Sequence, residues 1–210
     1  MTEQLILKQA AVGPWPMNSY ALICPETRQS VLIDPGAEPD TLQKLLDGST
    51  PLAILLTHAH PDHIGALDEM KARLDVPVHI NPGEPRLGLP VDDWLNNGDT
   101  FAVGNFTLRI IHTPGHTAGM VTLMLPDGRA IVGDTIFQGG PGRTWSPEDF
   151  AITMDTMHNI VFQWPDDTEC FPGHGPSFKI GDERPVFEAF ARRGYPADLQ
   201  GDVSWDMNFE

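Results

Sequence analysis

The sequence has few of the features that mark a secreted protein. Its two cysteines, Cys24 and Cys170, lack the paired spacing of a metal or redox motif, and two such residues make no disulfide framework. We expect both to be buried, inert thiols in a reducing compartment. The first residues contain no basic region followed by an apolar core, which predicts that there is no signal peptide and that the protein is cytoplasmic.

Positive charge and long apolar runs are also scarce. Thirteen lysines and arginines face 29 acidic residues, so the formal net charge is −16. A field of that sign repels phosphate backbones and anionic lipid surfaces, and we expect neither nucleic acid nor a membrane as a partner. No apolar run approaches the ~18 residues that a membrane-spanning helix needs.

The composition that remains is globular and rich in turn residues. The 210 residues are 40% hydrophobic and 20% charged, with 20 prolines and 20 glycines. A chain of this length is typical of one domain, so we expect a single domain over residues 1–210.

Strand-like and helix-like segments alternate in both halves of the chain. Apolar and period-two runs predict strands at 4–12, 17–24, 30–33, 52–56, 76–80, 106–111, 121–125, 130–132 and 168–171. Apolar residues at three-to-four spacing and a capping signal predict helices near 42–46, 63–74, 146–163 and 181–193. Residues 84–100 are predicted to be irregular. This order favours an α/β fold, a four-layer αββα sandwich of two β-sheets with helices on the outer faces.

One loop concentrates side chains that bind metal ions. The predicted strand at 52–56 is followed closely by His58, His60, Asp62 and His63. His58 and His60 are one residue apart on an extended segment and point the same way. A loop anchored on a strand and a helix orders its ligands at little extra entropy. The loop is therefore predicted to be part of a metal site.

Further residues of the same types follow three later strands. The glycine-bearing loops after the predicted strands contain His116, Asp134 and His174. Because polar residues at strand ends meet along one edge of such a fold, we expect these three to join the first four. Five histidines and two aspartates suit zinc, and iron or manganese also accept them. Seven ligands fit two divalent ions that share one carboxylate.

These motifs resemble those of a known superfamily. The segment Thr-His-Ala-His-Pro-Asp-His at 57–63 resembles the His-x-His-x-Asp-His signature of the metallo-β-lactamase superfamily. The later ligand-type residues follow in the order that this superfamily uses, and Asp34-Pro35-Gly36 resembles its early aspartate turn. The resemblance extends from residue 5 to about residue 185 and implies the metallo-β-lactamase fold, with two mixed sheets.

The resemblance also implies a role for each of these residues. One ion would be held by His58, His60 and His116. The other ion would be held by Asp62, His63 and His174, and Asp134 would bridge the two. Asp34 would be a buried residue that supports a ligand.

Within the superfamily the glyoxalase II branch is the most similar. Gly142-Arg143-Thr144 resembles the Gly-Arg-Thr segment of that branch, and the segment around His174 resembles its Pro-Gly-His-Gly-Pro segment. Longer glyoxalase II enzymes carry a helical C-terminal extension that grips glutathione. The tail from residue 194 is too short for a second domain, which leaves five candidate substitutes in this chain: Lys179, Arg184, Arg192, Arg193 and Tyr195.

The resulting hypothesis is a hydrolase with a binuclear zinc-type site. Its substrate would be a small anionic thioester or ester of the hydroxyacylglutathione type. A water shared by two ions loses its proton near neutral pH and attacks the carbonyl, with Asp62 and Asp134 as the catalytic carboxylates. Arg143 is expected either to steer the anionic substrate or to form a structural ion pair.

Three other functions stay open at this point. The persulfide dioxygenase branch resembles the chain in the same motifs but uses a single iron, which would leave the Asp62, His63 and His174 side empty. A lactonase is a closer variant of the hydrolase. The third alternative is a metal-binding module without catalysis, although a structural site needs only four ligands.

Overall fold

Two six-stranded β-sheets form the centre of the computed structural model, which describes residues 4–85 and 88–209. The first sheet contains, in spatial order, β1 (Ile6–Val12), β2 (Met17–Ile23), β3 (Gln29–Ile33), β4 (Thr50–Leu55), β5 (Val78–Ile80) and β6 (Asp93–Trp94). Its first three strands pair antiparallel and the rest pair parallel, so the sheet is mixed.

The second sheet comes from the second half of the chain. Its strands are β7 (Thr100–Val103), β8 (Phe106–His112), β9 (Val121–Met124), β10 (Ala130–Gly133), β13 (Glu169–Pro172) and β14 (Phe178–Lys179). A separate hairpin consists of β11 (Ile136–Phe137) and β12 (Gly140–Pro141). In the six-stranded sheet, β10 and β13 are parallel and the other pairs are antiparallel, so this sheet is mixed as well.

Helices cover the outer face of each sheet. The first sheet packs against α1 (Pro39–Leu45), α2 (Pro61–Ile64) and α3 (Leu67–Leu74). The second packs against α4 (Pro147–Asn159), a short 3₁₀ turn (Val161–Gln163) and α5 (Ile180–Arg193). A third apolar cluster lies between the two sheets. The predicted four-layer αββα sandwich is therefore confirmed.

Period-two alternation explains why the inner strands are buried on both faces. In β2 every residue is buried. Tyr20 and Leu22 face the layer between the sheets, while Met17 and Ala21 face the helices of the first sheet. Alternate side chains of a strand point to opposite faces, so one strand contributes to two cores.

The helix predicted over residues 63–74 is wrong in detail, because two helices occupy this region. The break falls at Gly65 and Ala66, where the chain touches the turn after β3. The Ala66 amide donates to the Pro35 carbonyl at 2.9 Å. A Cβ on Gly65 would lie 2.4 Å from the Gly36 carbonyl oxygen, so the backbones approach too closely for any larger residue.

Five short strands were not expected from the sequence. The segment predicted as irregular contains β6, and β7 begins at its last residue. The hairpin strands β11 and β12 have two residues each, as does β14. Runs this short carry no detectable periodicity, and partner strands rather than local sequence determine them.

The structure bears on two features that are scarce in the sequence, namely cysteines and long apolar segments. Cys24 and Cys170 are buried and unpaired, as expected. Within residues 4–85 and 88–209, no helix has the length and apolar character needed to cross a bilayer.

Candidate metal centre

All seven predicted ligand residues meet at one edge of the sandwich. The chain leaves β4 through the loop that contains His58 and His60 and enters α2, which carries Asp62 and His63. The other three lie in the loops after β8, β10 and β13, namely His116, Asp134 and His174. Strand ends from both sheets therefore supply one cleft.

Three imidazole nitrogens converge on one side of the cleft. His60 Nδ1 lies 3.1 Å from His58 Nε2 and 2.8 Å from His116 Nε2. One ligand atom from each of the three residues lies within 4.8 Å of the others. This is the spacing of donor atoms that surround a single ion.

A second group faces the first across Asp134. His174 Nε2 lies 3.1 Å from Asp62 Oδ2, and His63 belongs to the same group. Asp134 Oδ1 is 3.3 Å from His63 Nε2, while Asp134 Oδ2 is 3.5 Å from His116 Nε2. One carboxylate thus has an oxygen near each group, which is the arrangement that a bridging ligand requires.

The outer hydrogen bonds of the histidines fix which ring nitrogen faces the cleft. His116 Nδ1 donates to the Arg143 carbonyl at 2.7 Å, and His174 Nδ1 donates to the Pro16 carbonyl at 3.1 Å. His63 Nδ1 donates to a carboxylate oxygen at 3.0 Å. Carbonyl and carboxylate oxygens only accept, so Nδ1 carries the proton and Nε2 offers a lone pair to the cleft.

The carboxylate behind His63 is that of Asp34, which is buried and organises the ligand loop. It accepts the Thr57 amide at 2.8 Å and the Thr57 hydroxyl at 2.6 Å, besides His63 Nδ1. Because the Thr57 hydroxyl donates to Asp34, its oxygen is left to accept from His58 Nδ1 at 3.0 Å. Asp34 therefore contacts a candidate ligand rather than the cleft itself.

Burial and charge determine the protonation of the cleft. Burial lowers the pKa of His58 well below its ordinary value and also lowers the pKa of His60 and His116. These three rings are therefore neutral at pH 7, as a metal ligand must be. Burial by itself would lower the pKa of His63, but the carboxylates of Asp134 and Asp34 outweigh it and raise that pKa to about 10. The space between His63 and Asp134 thus favours a positive charge.

Two orphaned atoms test whether metal ions fit this cleft. His63 Nε2 and Asp134 Oδ1 are buried, and neither forms a hydrogen bond within the described part of the chain, since their 3.3 Å contact is poorly aligned. An unpaired buried nitrogen and carboxylate oxygen are costly unless another group satisfies them. Imidazole and carboxylate donors are those that zinc and iron accept, so the residues fit divalent ions.

Glycine makes the close approach of the last loop possible. A Cβ on Gly173 would lie 2.1 Å from Asp134 Oδ1 and 2.6 Å from His63 Cε1. Any side chain at this position would enter the cleft. The glycine before His174 therefore keeps the space beside Asp134 open.

Glu84 is a supporting residue that the sequence did not reveal. Its buried carboxylate accepts the Ala59 amide at 3.0 Å and the Gly119 amide at 2.9 Å. It thus ties the loop of His58 and His60 to the loop of His116. A single glutamate in a segment predicted to be irregular gave no signal of this role.

The His174 loop is held from the first sheet. Asn18 donates to the carbonyls of Pro172 at 3.0 Å and Gly175 at 2.8 Å, and Tyr20 donates its hydroxyl to Pro172 at 2.6 Å. In the sequence, the signal for these contacts is the presence of polar residues inside an otherwise apolar strand.

A cavity of about 1040 Å³ opens from the cleft to the surface. Asp62, Asp134 and His174 lie at its inner end, and the aromatic residues Phe137 and Trp145 line it farther out. The opposite side is formed by the C-terminal segment 202–206, which we call the tail wall. The cavity is large enough for a small-molecule substrate.

The tail wall is anchored to the body of the protein. Thr144 and Gly201 exchange backbone hydrogen bonds of 3.2 and 3.0 Å. Trp205 is buried against Phe187 and Phe190, and its amide donates to the Gly139 carbonyl at 2.8 Å. The C-terminal segment therefore forms one side of the cavity.

Arg143 lines the cavity but already has partners. Its guanidinium lies 2.8 Å from Asp202 and 4.8 Å from the centre of the Trp145 ring. Its backbone carbonyl is the acceptor of His116 Nδ1. Of the two roles predicted for the side chain, the structure displays the ion pair, and the steering of an anion stays a prediction.

The candidate substitutes for a glutathione-binding extension lie elsewhere. None of the five residues proposed from the sequence lines the cavity: Lys179, Arg184, Arg192, Arg193 and Tyr195. Arg184 instead binds Asp166 and two backbone carbonyls near α5, and Arg193 donates to the Trp205 carbonyl at 3.0 Å. Arg184 thus joins α5 to the segment around the 3₁₀ turn, and Arg193 joins α5 to the tail.

Two curated relatives are similar over most of their length. The probable metallo-hydrolase YqgX of Bacillus subtilis is 33% identical over 209 residues, covering 88% of this chain and 98% of the relative. Hydroxyacylglutathione hydrolase GloC of Haemophilus influenzae is 30% identical over 190 residues, covering 80% of this chain and 90% of the relative.

Solved structures show the same fold. The structure of TTHA1623 in a di-iron-bound form matches with a TM-score of 0.72 at 33% identity, covering 84% of this chain and 96% of that one. ETHE1 from Myxococcus xanthus matches with a TM-score of 0.77 at 27% identity, covering 85% and 81%. The family model of the metallo-beta-lactamase superfamily matches residues 12–174. The chain, with its cleft of histidines and aspartates at one edge of an αββα sandwich, belongs to the metallo-beta-lactamase superfamily.

Proposed function

We propose that this protein is a hydrolase that uses two divalent ions to cleave a thioester or ester bond, with a hydroxyacyl thioester as the model substrate. The observation that carries the proposal is the position of Asp134 between two complete ligand groups. A structural metal site needs only four ligands and no open cavity. This cleft has seven ligand-type side chains, and it lies at the inner end of an open cavity. The resemblance to GloC and YqgX supports the same reaction class.

Each residue has a defined task in this proposal. One ion is assigned to His58, His60 and His116, the other to Asp62, His63 and His174, with Asp134 between them. Two ions bound there supply a water of lowered pKa and polarise the substrate carbonyl. Zinc suits this donor set, and the di-iron form of TTHA1623 makes iron the main alternative, with manganese also compatible.

The remaining chemistry belongs to the protein and the substrate. The Asp62 carboxylate borders the cavity, where it orients the attacking water and takes up its proton. The leaving group departs along the cavity. A thiolate, with a pKa of about 8.5, leaves without first being protonated. Apart from the three histidines assigned to the ions, the titratable side chains among the described residues that line the cavity are carboxylates and Arg143. A leaving group that needs no proton donor suits them, so a thioester suits the site better than an amide.

Metal analysis combined with a thioester assay tests the proposal. We expect two ions per chain and hydrolysis of lactoyl thioesters of both glutathione and N-acetylcysteamine. Chelation should abolish hydrolysis, and added zinc should restore it. In Asp134→Ala we expect loss of hydrolysis and of at least one ion, whereas Asp198→Asn, an exposed change outside the cavity, serves as the control. Two ions and persistent hydrolysis in Asp134→Ala would show that the bridging assignment is wrong.

A single-iron oxygenase acting on a persulfide is the second candidate, and the structural likeness to ETHE1 fits it. Against it, the group of Asp62, His63 and His174 is fully assembled, and a one-iron enzyme has no need of it. Oxygen uptake on glutathione persulfide by protein that contains one iron per chain would favour the oxygenase. Tightly bound metal without turnover of thioesters, lactones or persulfides would favour a module that only binds metal.

A further inference from the structure

The outer part of the cavity has an excess of negative charge. Four acidic residues line it beyond the cleft: Asp182, Glu183, Asp202 and Asp206. Apart from the histidines of the cleft, Arg143 is the one basic side chain among the described residues that line the cavity. These carboxylates lie along the cavity through which the leaving group departs in the proposed function.

The Arg143 guanidinium does not make the outer cavity attractive to an anionic ligand. The Arg143 guanidinium is paired with Asp202 at 2.8 Å and stacked over Trp145. The two side chains of the ion pair are 51% and 76% exposed, so solvent screens them, but each already faces an opposite charge. An incoming anion would have to compete with Asp202 for Arg143.

The fold holds three of these carboxylates in place beside the cavity. Asp202 follows the Thr144–Gly201 bridge directly, and Asp206 follows the buried Trp205. On the other side, the buried Glu183 carboxylate accepts the Gly139 amide at 2.8 Å, although burial raises its pKa. Farther in, the nearly buried Asp134 lines the inner end of the cavity.

We propose that the tail wall, together with Asp182, selects substrates whose leaving group is uncharged or positively charged. Like charges placed together disfavour the wrong partner, so a thiol with a net negative charge, such as glutathione, is selected against. The exposed ring of Trp145 and the ring of Phe137 offer apolar faces that also attract a cation. This inference rests on the proposed hydrolysis and names the class of its leaving group.

The affinity of thioethers, which cannot be hydrolysed, tests this inference independently of turnover. The probes are S-butyl thioethers of glutathione, N-acetylcysteamine and thiocholine, with net charges of about −1, 0 and +1 at neutral pH. Calorimetry on the zinc-loaded protein should show weaker binding of the glutathione thioether, by about tenfold relative to the thiocholine thioether. The difference should shrink in 1 M salt, where screening acts over about 3 Å.

Matched variants locate the effect in the wall. Asp202→Asn removes one carboxylate and frees Arg143, so the glutathione thioether should bind about five- to tenfold more tightly. Asp206→Asn removes a carboxylate without freeing a cation and should have a smaller effect in the same direction. Asp198→Asn removes the same charge from the same tail outside the cavity and should leave the three affinities in their original order.

The outcomes distinguish this inference from the proposed function. Preferred binding of the glutathione thioether, or an equal response of Asp202→Asn and Asp198→Asn, would overturn the inference while thioester hydrolysis still stood. Failure of all three thioethers to bind would overturn it as well. Absence of hydrolysis of every lactoyl thioester would overturn the proposed function, and the order of thioether affinities would still show whether the wall discriminates by charge.

Discussion

The ligand cleft and the tail wall are neighbours, but they are held in different ways. In the cleft, Asp34 and Glu84 fix the ligand loops through buried hydrogen bonds, and glycines allow backbones to touch. The wall presents exposed carboxylates and is held by the Thr144–Gly201 bridge and by the packing and backbone hydrogen bonds of Trp205. This difference separates a tightly held ligand cleft from a surface whose side chains can change without disturbing it.

Removing the anchor of the wall should have the largest effect on stability. Trp205→Ala empties a site packed by Phe187 and Phe190, and we expect the free energy of unfolding to fall by about 3–5 kcal/mol. The folded variant should keep both metal ions. Urea unfolding and metal analysis test this, with Trp15→Ala as the control because that side chain is 73% exposed. Loss of metal from folded Trp205→Ala would show that wall and cleft are not separable.

A substitution at Asp34, behind the cleft, should weaken metal binding more than a substitution in the tail wall does. In the unsubstituted protein, His63 Nδ1 and the Thr57 backbone N–H both donate to the Asp34 carboxylate. In Asp34→Asn the side-chain NH₂ group must face one of these two donors. The first orientation moves the His63 proton to Nε2, where it blocks the lone pair. We expect a 10–100-fold loss of metal affinity at the His63 side.

Calorimetric titration of metal-free Asp34→Asn with zinc gives this affinity. Asp40→Asn is the control, because Asp40 pairs with Arg73 on the surface. Unchanged binding of both ions in Asp34→Asn would refute the tautomer assignment of His63.

Loosening the tie between two ligand loops should have a smaller effect. Glu84→Gln replaces one accepting oxygen with a donor that faces the Ala59 or Gly119 amide. One buried donor loses its partner, and we expect the free energy of unfolding to fall by about 1–3 kcal/mol. Glu69→Gln, at an exposed helical ion pair, is the matched control. Equal losses in the two variants would mean that Glu84 does not hold the loops.

The smallest effect is expected at the surface of the wall. Arg143→Gln removes an exposed ion pair with Asp202, and such pairs contribute less than about 1 kcal/mol. Thermal and urea unfolding should place this variant close to Arg73→Gln, which also loses exposed ion pairs. A loss well above that of Arg73→Gln would mean that Arg143 helps to hold the wall in place.

The sequence predicted the parts of the molecule that depend on local order. The four ligand-type residues from His58 to His63 lie on one strand-to-helix connection, so their proximity follows from the chain itself. His116, Asp134 and His174 could be added because strand ends meet at one edge of the fold. The break at Gly65 was not predictable, since it arises from contact with a turn about 30 residues earlier.

The tail wall lay beyond local inference for a related reason. Asp202 and Asp206 have no periodic or motif context, and they reach the cavity only because Gly201 pairs with Thr144 and Trp205 is buried. Glu84 likewise acts through amides of two distant loops. Contacts made across the fold leave no trace in the spacing of neighbouring residues.

The cleft takes its ligand residues from both halves of the chain, so bound ions would also affect stability. Asp62 comes from the first half of the chain and His174 from the second, 112 positions away. Ions bound as proposed would act as cross-links between the two halves, in a protein whose two cysteines are unpaired. Closing a loop of about 100 residues with a covalent bond restricts the unfolded chain by roughly 4.7 kcal/mol. Metal loss would then remove a cross-link between the two sheets, as the reduction of a disulfide does elsewhere, and leave the apolar core between them to hold the sandwich together.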